Sequence, residues 1–326
     1  LSYVLNLLGA KIYGYSLKPK SRYSFFELLK MNKGYFDKNT YANILELKKI
    51  KEEVRKAKPD IVFHLAAQAL VRESYKNPLE TYNVNYIGSL NLMHACLNQK
   101  SIKSIVLITS DKVYEVNKKK VFKETDRLGG LDPYSASKAS AEIAISSFAS
   151  SFFDFKKVGI ATVRAGNVIG GGDWGEDRLI PDIIKSCKNN KFMLVRHPNA
   201  IRPWQHVLDC LNGYLMLIDK QINESVSGEW NFSPPASPTH TVAEVATLAA
   251  KFWGSEQNWI PDSIAHQPET DMLILDSSKA RKELNWSEKL SFEESISWTV
   301  DFYKEVNSGK NQRSVLETQI NKYQSL

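Results

Sequence analysis

The sequence predicts a doubly wound α/β fold built on a parallel sheet, with a smaller C-terminal α/β lobe. Strand-like and helix-like stretches take turns through the first half of the chain, as parallel βαβ units require. Two strand-like runs, Ile61-Val62-Phe63-His64-Leu65 and Ile105-Val106-Leu107-Ile108, are apolar at consecutive positions, which suits strands covered on both faces. Both lead into small or hydroxyl residues, Ala66-Ala67-Gln68 and Thr109-Ser110, at the strand end where such sheets carry their sites.

In order, Leu1 to Leu8 reads as a helix and Lys11 to Tyr15 as a short strand. A helix from about Leu45 to Lys58 precedes the strand 61–67, and Asn77-Pro78 opens a helix over 79–98 containing Tyr82, Asn85 and Gly88. After the strand 104–110, a helix over 134–152 starts behind Asp132-Pro133, because proline is tolerated in a first helical turn. A strand over 158–165 ends the alternation. Beyond Gly166 loops dominate, with helices at about 179–188 and 207–219. Thr241-Val242-Ala243-Glu244 is a capping box opening a helix towards Trp253. With no linker or repeat, the two lobes are expected to interweave. Residues 1–170 would form one domain, 205–234 return to it, and 171–326 make up most of the second (which lacks sharp boundaries).

At 326 residues and 43% hydrophobic, the chain can bury a full α/β core and a second lobe. Cys96, Cys187 and Cys210 are too widely spaced for a thiolate metal site or disulfide framework, which fits a reducing cytoplasm. The six histidines include no H-x-x-x-H pair, so no metal is expected. No apolar stretch approaches the ~20 residues of a membrane span. The net charge of +7 falls in clusters such as Lys48 to Lys58 and Lys118 to Lys120 that read as solvated surface. Nucleic-acid binding would want a basic stripe interleaved with aromatics, and none is present. A basic balance does help capture an anionic small molecule.

The chemistry concentrates at two places. In Tyr134-Ser135-Ala136-Ser137-Lys138 the phenol and the amine are four residues apart, on one helix face. A nearby ammonium favours phenolate, so Lys138 is expected to lower the Tyr134 pKa and make it a base for a hydroxyl proton. Alone, Y-x-x-x-K is a weak signal. Thr109-Ser110-Asp111-Lys112-Val113-Tyr114 adds two titratable groups, Asp111 and Lys112, that a plain alcohol dehydrogenase would not need.

Three further runs complete the pattern: Arg164-Ala165-Gly166-Asn167-Val168-Ile169-Gly170-Gly171-Gly172-Asp173-Trp174, Asp177-Arg178-Leu179-Ile180-Pro181-Asp182, and Arg202-Pro203-Trp204-Gln205-His206-Val207. With these, the chain resembles the extended short-chain dehydrogenase/reductases, and within them the nucleotide-sugar 4,6-dehydratases, nearest the branch acting on CDP-glucose. The likeness runs from Leu1 to about Tyr303. It implies a Rossmann-like domain, NAD as cofactor, CDP-glucose as substrate, and a homodimer formed through helices 79–98 and 134–152. It also implies that the first strand of the family and its G-x-x-G-x-x-G turn are lacking, the chain starting inside the helix that follows.

The resemblance implies roles as well. Tyr134 would take the 4-hydroxyl proton, Ser110 bond the reacting oxygen, and Lys138 hold the nicotinamide ribose. Asp111 would protonate the departing 6-hydroxyl. Lys112 departs from the glutamate of relatives acting on dTDP-glucose or GDP-mannose. It would be either a neutral base at C5 or a cation stabilising the enolate. Thr109, Ala66, Ala67 and Gln68 are expected at the cofactor, with Asn85 supporting the backbone. Asn167 is expected to contact substrate, and Arg178 and Arg202 to pair with its diphosphate, since guanidinium matches phosphate oxygens bidentately. Trp204 reads as packing. Asn43, Ser16 and Lys18 stand where an acidic residue would meet the adenosine, so NAD follows from the family and not from these side chains. Two other readings stay open: a different sugar-nucleotide epimerase or dehydratase of the superfamily, and a non-catalytic sugar-nucleotide binder.

Overall fold

A computed structural model of the chain describes all residues except 20–23, 32–33, 117–120, 176, 257–258 and 265–269. The cluster at Lys118 to Lys120 lies outside the described residues. Four parallel strands form the main sheet in the order Gly228–Phe232, Gly159–Ala165, Ser104–Ile108, Ile61–His64. His64 stands opposite Leu107, Leu107 opposite Thr162, and Ala165 opposite Phe232, so the four strands finish along one edge. The loops after His64, Ile108, Ala165 and Phe232 therefore open together.

Both faces of this sheet are covered, which explains the unbroken apolar runs. Ile105, Leu107 and Ile160 face helices Leu47–Ala57, Gly88–Cys96 and Pro133–Phe152. Val106, Ala161 and Val163 face helices Val207–Glu224 and Ser278–Leu284 on the other side. Ile105, Val106 and Leu107 are completely buried, each contributing roughly 1.5–3 kcal/mol. A third core gathers helices Leu179–Lys188, Val242–Trp253 and Phe292–Asn307 around Ile183, Val245, Ile296 and Val300. The Thr241/Glu244 capping box forms as expected, and a second, Ser291 with Glu294, starts the 292–307 helix. No helix among the described residues is long and apolar enough to cross a membrane.

A separate parallel pair joins Tyr13–Ser16 to Lys38–Tyr41. Its Tyr15 packs on the core beneath the main sheet. The strand Lys38–Tyr41 was not expected, because Lys-Asn-Thr-Tyr carries no apolar alternation.

The helix expected over 79–98 is corrected by the structure. It is α-helical over Pro78–Tyr82, widens into a π turn over Asn83–Ile87, and resumes over Gly88–Cys96. Such single-turn insertions occur at functional sites. Here the turn carries Asn85, whose amide is tied to the loop after His64. Gly88 then lies against Ile44, where a Cβ would come within 2.7 Å of Cγ2.

Candidate active site

Helix Pro133–Phe152 brings the phenol and the amine to the shared edge of the sheet. Asp132 starts it, its Oδ1 accepting from Ser135 N at 3.0 Å, with Pro133 in the first turn. The backbone N–H of Tyr134 donates to Ser74 Oγ at 3.2 Å, pinning the helix start to the short helix Val71–Lys76. Lys138 Nζ donates to Ile108 O at 3.1 Å, at the end of the adjacent strand. Both side chains are buried.

Their electrostatics differ from the simple pairing expected of Tyr134 and Lys138. Burial pushes the Tyr134 phenol up to about 12, with Asp111 and Asp132 adding to the rise and Ser110 and Arg178 opposing it. Burial also brings the Lys138 ammonium down to about 8, with Glu142 resisting. Desolvation of both groups therefore outweighs any stabilisation of phenolate by the amine.

Beside them, Asp111–Val113 form a single 3-10 turn capped by Ser110, whose Oγ accepts from Lys112 N at 3.2 Å. The Ser110 hydroxyl donates to Asp111 Oδ1 at 3.0 Å. The other oxygen of Asp111, Oδ2, is buried with no hydrogen-bond partner among the described residues. Burial raises the Asp111 pKa against the opposing pull of Lys112, Ser110 and Arg202. Burial thus shifts this carboxyl towards its protonated form, the direction an acid needs.

Two hydrogen-bond networks hold these groups. Asn85 accepts from Gln68 N at 2.9 Å, donates to Gln68 O at 3.0 Å, and reaches Ser137 Oγ at 2.9 Å. The Ala66-Ala67-Gln68 loop is thereby clasped to the Tyr134 helix. The Gln68 side chain folds back, its Nε2 donating to Thr81 Oγ1 at 2.8 Å and its Oε1 accepting from Leu70 N at 2.6 Å. Neighbouring His64 meets Ser89 Oγ at 2.9 Å. Burial, with help from Lys138, lowers its pKa to about 3, so it stays neutral.

The second network was missed in the sequence. Thr109 turns its hydroxyl to Glu142, whose carboxylate takes Arg164 Nε at 2.8 and 2.9 Å as well as Nη2. Arg164 Nη1 continues to the Tyr114 hydroxyl at 2.8 Å, which donates to Asn231 Oδ1 at 2.8 Å. Burial alone would lower the Arg164 pKa, but pairing with Glu142 holds it above its usual value. One signal was available: Glu142 lies one helical turn beyond Lys138, on the same face. Glu142→Ala is expected to cost about 3–5 kcal/mol by leaving a buried guanidinium uncompensated. Urea unfolding of the variant checks this, and an unchanged midpoint would contradict it.

On the facing side, Asn167–Ile169 pairs with Trp204–His206, and Asn167 is half-buried beside Trp204. Trp204 itself is buried in the third core. Arg202 is buried, its Nη1 donating to Ile201 O at 2.8 Å, and its charge is felt at Asp111. Arg178 is exposed, held at 2.9 Å by Asp173. The glycine run lets this loop pack closely on the third core. A Cβ on Gly171 would fall 2.0 Å from Phe302 Cγ, and Gly172 takes φ +86. Elsewhere, Asn43 Oδ1 accepts from Leu45 N at 3.0 Å just ahead of the 47–57 helix.

The sequence profile of the GDP-mannose 4,6-dehydratase family matches residues 2–299. The chain belongs to this family. Among known proteins, it is 39% identical to a CDP-glucose 4,6-dehydratase of Salmonella typhimurium, the alignment covering 100% of this chain and 92% of that protein. The family fold is also seen in solved structures. A UDP-glucose 4-epimerase of Thermotoga maritima, solved with UDP-glucose, superposes with a TM-score of 0.81 at 21% identity, over 94% of this chain and 96% of that one. A dTDP-glucose 4,6-dehydratase of Streptomyces venezuelae, solved with NAD, superposes with a TM-score of 0.79 at 17% identity, over 94% of each chain.

Proposed function

We propose that this member of the family is an NAD-dependent 4,6-dehydratase converting CDP-D-glucose to CDP-4-dehydro-6-deoxy-D-glucose and water. The observation that carries the reading is the buried Asp111 carboxyl, with one oxygen that has no partner among the described residues, beside Ser110 and Tyr134. Epimerisation at C4 has no need of an acid there, whereas loss of a 6-hydroxyl does. The relative at 39% identity carries the corresponding name.

NAD, when bound, would supply a reversible hydride acceptor, the hydride leaving C4 on oxidation and returning to C6, with a proton to C5, after water is lost. The residues fit it: Lys138 has one hydrogen bond among the described residues, to Ile108 O, leaving two of its N–H groups for a ribose diol. Ala66 and Ala67 offer little bulk at the strand end, and Asn85 fixes their loop. Tyr134 would accept the 4-hydroxyl proton, with Ser110 bonded to the same oxygen. Oxidation at C4 acidifies the C5 proton. Asp111 would then protonate the departing 6-hydroxyl, and Lys112 would act at C5 as base or as cation beside the enolate. Asn167, Arg178 and Arg202 would hold the sugar and its diphosphate. In this scheme residues 1–170 with 205–234 carry the cofactor and 171–326 most of the substrate contacts.

The test is incubation with CDP-glucose and NAD, followed by the alkali chromophore of a 4-keto sugar. Appearance of CDP-galactose without that chromophore would sink the dehydratase reading in favour of an epimerase. A pH profile gives a second check. If the Lys138 ammonium is needed, kcat/KM should fall about tenfold per pH unit above the folded pKa of about 8. Unfolding does not explain such a fall, because a lysine pKa depressed by folding makes the native state gain stability as pH rises from about 8 towards 10.5. Lys138→Arg should lack this limb.

A homodimer forms part of the proposal. Leu79, Ile143 and Phe152 are 78%, 60% and 61% exposed on the two helical segments that flank a cavity lined by Tyr82, Tyr86 and Phe148. A second copy covers such a face best, and light scattering that gives only monomer would remove this part. A cytoplasmic setting is consistent with Cys96, Cys187 and Cys210 all being free thiols.

A further inference from the structure

We propose that Asp177 is a displaceable counter-ion, holding Arg72 and Arg196 in place for the diphosphate of the substrate. The inference rests on the sugar-nucleotide reading above. Arg72 Nη1 lies 2.7 Å from Asp177 Oδ1, and Arg196 approaches the same oxygen at 3.4 Å and the Asp177 carbonyl at 3.2 Å. Asp177 takes φ +59, a left-handed turn that Asp tolerates, and this lets one residue present both its carboxylate and its carbonyl to Arg196.

The three residues come from separate parts of the fold. Arg72 belongs to Val71–Lys76, the short helix whose Ser74 accepts from Tyr134 N. Arg196 follows the strand Met193–Val195. Asp177 precedes Arg178, whose charge is felt at the Tyr134 phenol. The cluster therefore spans from the helix bracing the base to the loop facing it. Arg72 and Asp177 are each 51% exposed, and an exposed pair of this kind contributes little. A diphosphate offers more charge and more oxygens in bidentate geometry. It would replace the carboxylate on these guanidinium groups without requiring new cations to be brought in.

The probe is CDP, measured by calorimetry on the full chain at low and high salt. Asp177→Asn should bind CDP about two- to fivefold more tightly than wild type, the scale of an exposed ion pair. Its affinity should also depend more steeply on salt, because the arginines no longer exchange one anion for another. Arg72→Gln should weaken CDP binding more than CMP binding, and adding Asp177→Asn to it should bring less gain than in wild type. The proposal is overturned if Asp177→Asn leaves CDP affinity unchanged or weaker, if Arg72→Gln has no effect, or if the folded wild type binds no CDP. Turnover is scored separately. CDP binding that behaves as expected without dehydration of CDP-glucose would remove the catalytic reading and leave this one standing.

Discussion

Tyr134→Phe is expected to lower kcat for dehydration of CDP-glucose by about 10²–10⁴-fold, the range of a positioned acid–base group. The phenol is buried beside the Ser110–Asp111 turn, interacting with the Ser110 side chain and feeling the charge of Asp111. Held up near 12 by burial, it is protonated in the resting site. Its base function must then be switched on by charge brought into the cleft, and the weak Y-x-x-x-K motif alone does not supply that. Phe keeps the packing of the ring and removes only the oxygen, so CDP affinity and melting temperature should stay close to wild type. Turnover within a few-fold of wild type would remove the proposed chemistry altogether.

Asp111→Asn carries the second largest expected effect, a fall of about 10²–10⁴-fold in formation of the 4-keto-6-deoxy product. An amide has no proton of comparable acidity for the departing hydroxyl. The same change has a signature in stability. The folded pKa of Asp111 lies above its ordinary 3.8, so the native state loses stability as pH rises from there through the folded pKa, and the loss is complete above it. The Asn variant lacks this term, and its stability relative to wild type should improve across that window. Urea titrations at acidic and neutral pH measure it. A variant that keeps dehydratase activity, or whose relative stability falls with pH, would show that Asp111 is an ordinary turn residue.

How much of this was legible depends on whether the signal is local. Consecutive apolar residues marked Ser104–Ile108 and Ile61–His64, because a strand covered on both faces has no polar side to alternate with. Asp132-Pro133 marked the start of the Tyr134 helix to within a residue. Strand Lys38–Tyr41 escaped because its burial is slight and its pairing with Tyr13–Ser16 lies in distant sequence. The π turn at Asn83–Ile87 has no local mark in the sequence, and the partners of its Asn85, Gln68 and Ser137, lie 17 and 52 residues away.

The sequence by itself determined the parallel α/β class, the family, and the residue types gathered at the strand ends, since periodicity and motif spacing are properties of neighbouring positions. Only the tertiary structure decided the direction in which those groups shift: burial raises the pKa of Tyr134 and Asp111 and lowers that of Lys138. It also decided which arginines meet which carboxylates, Glu142 under Thr109 and Asp177 between Arg72 and Arg196. Desolvation and ion pairing depend on which distant segments pack together, and local sequence spacing does not encode that.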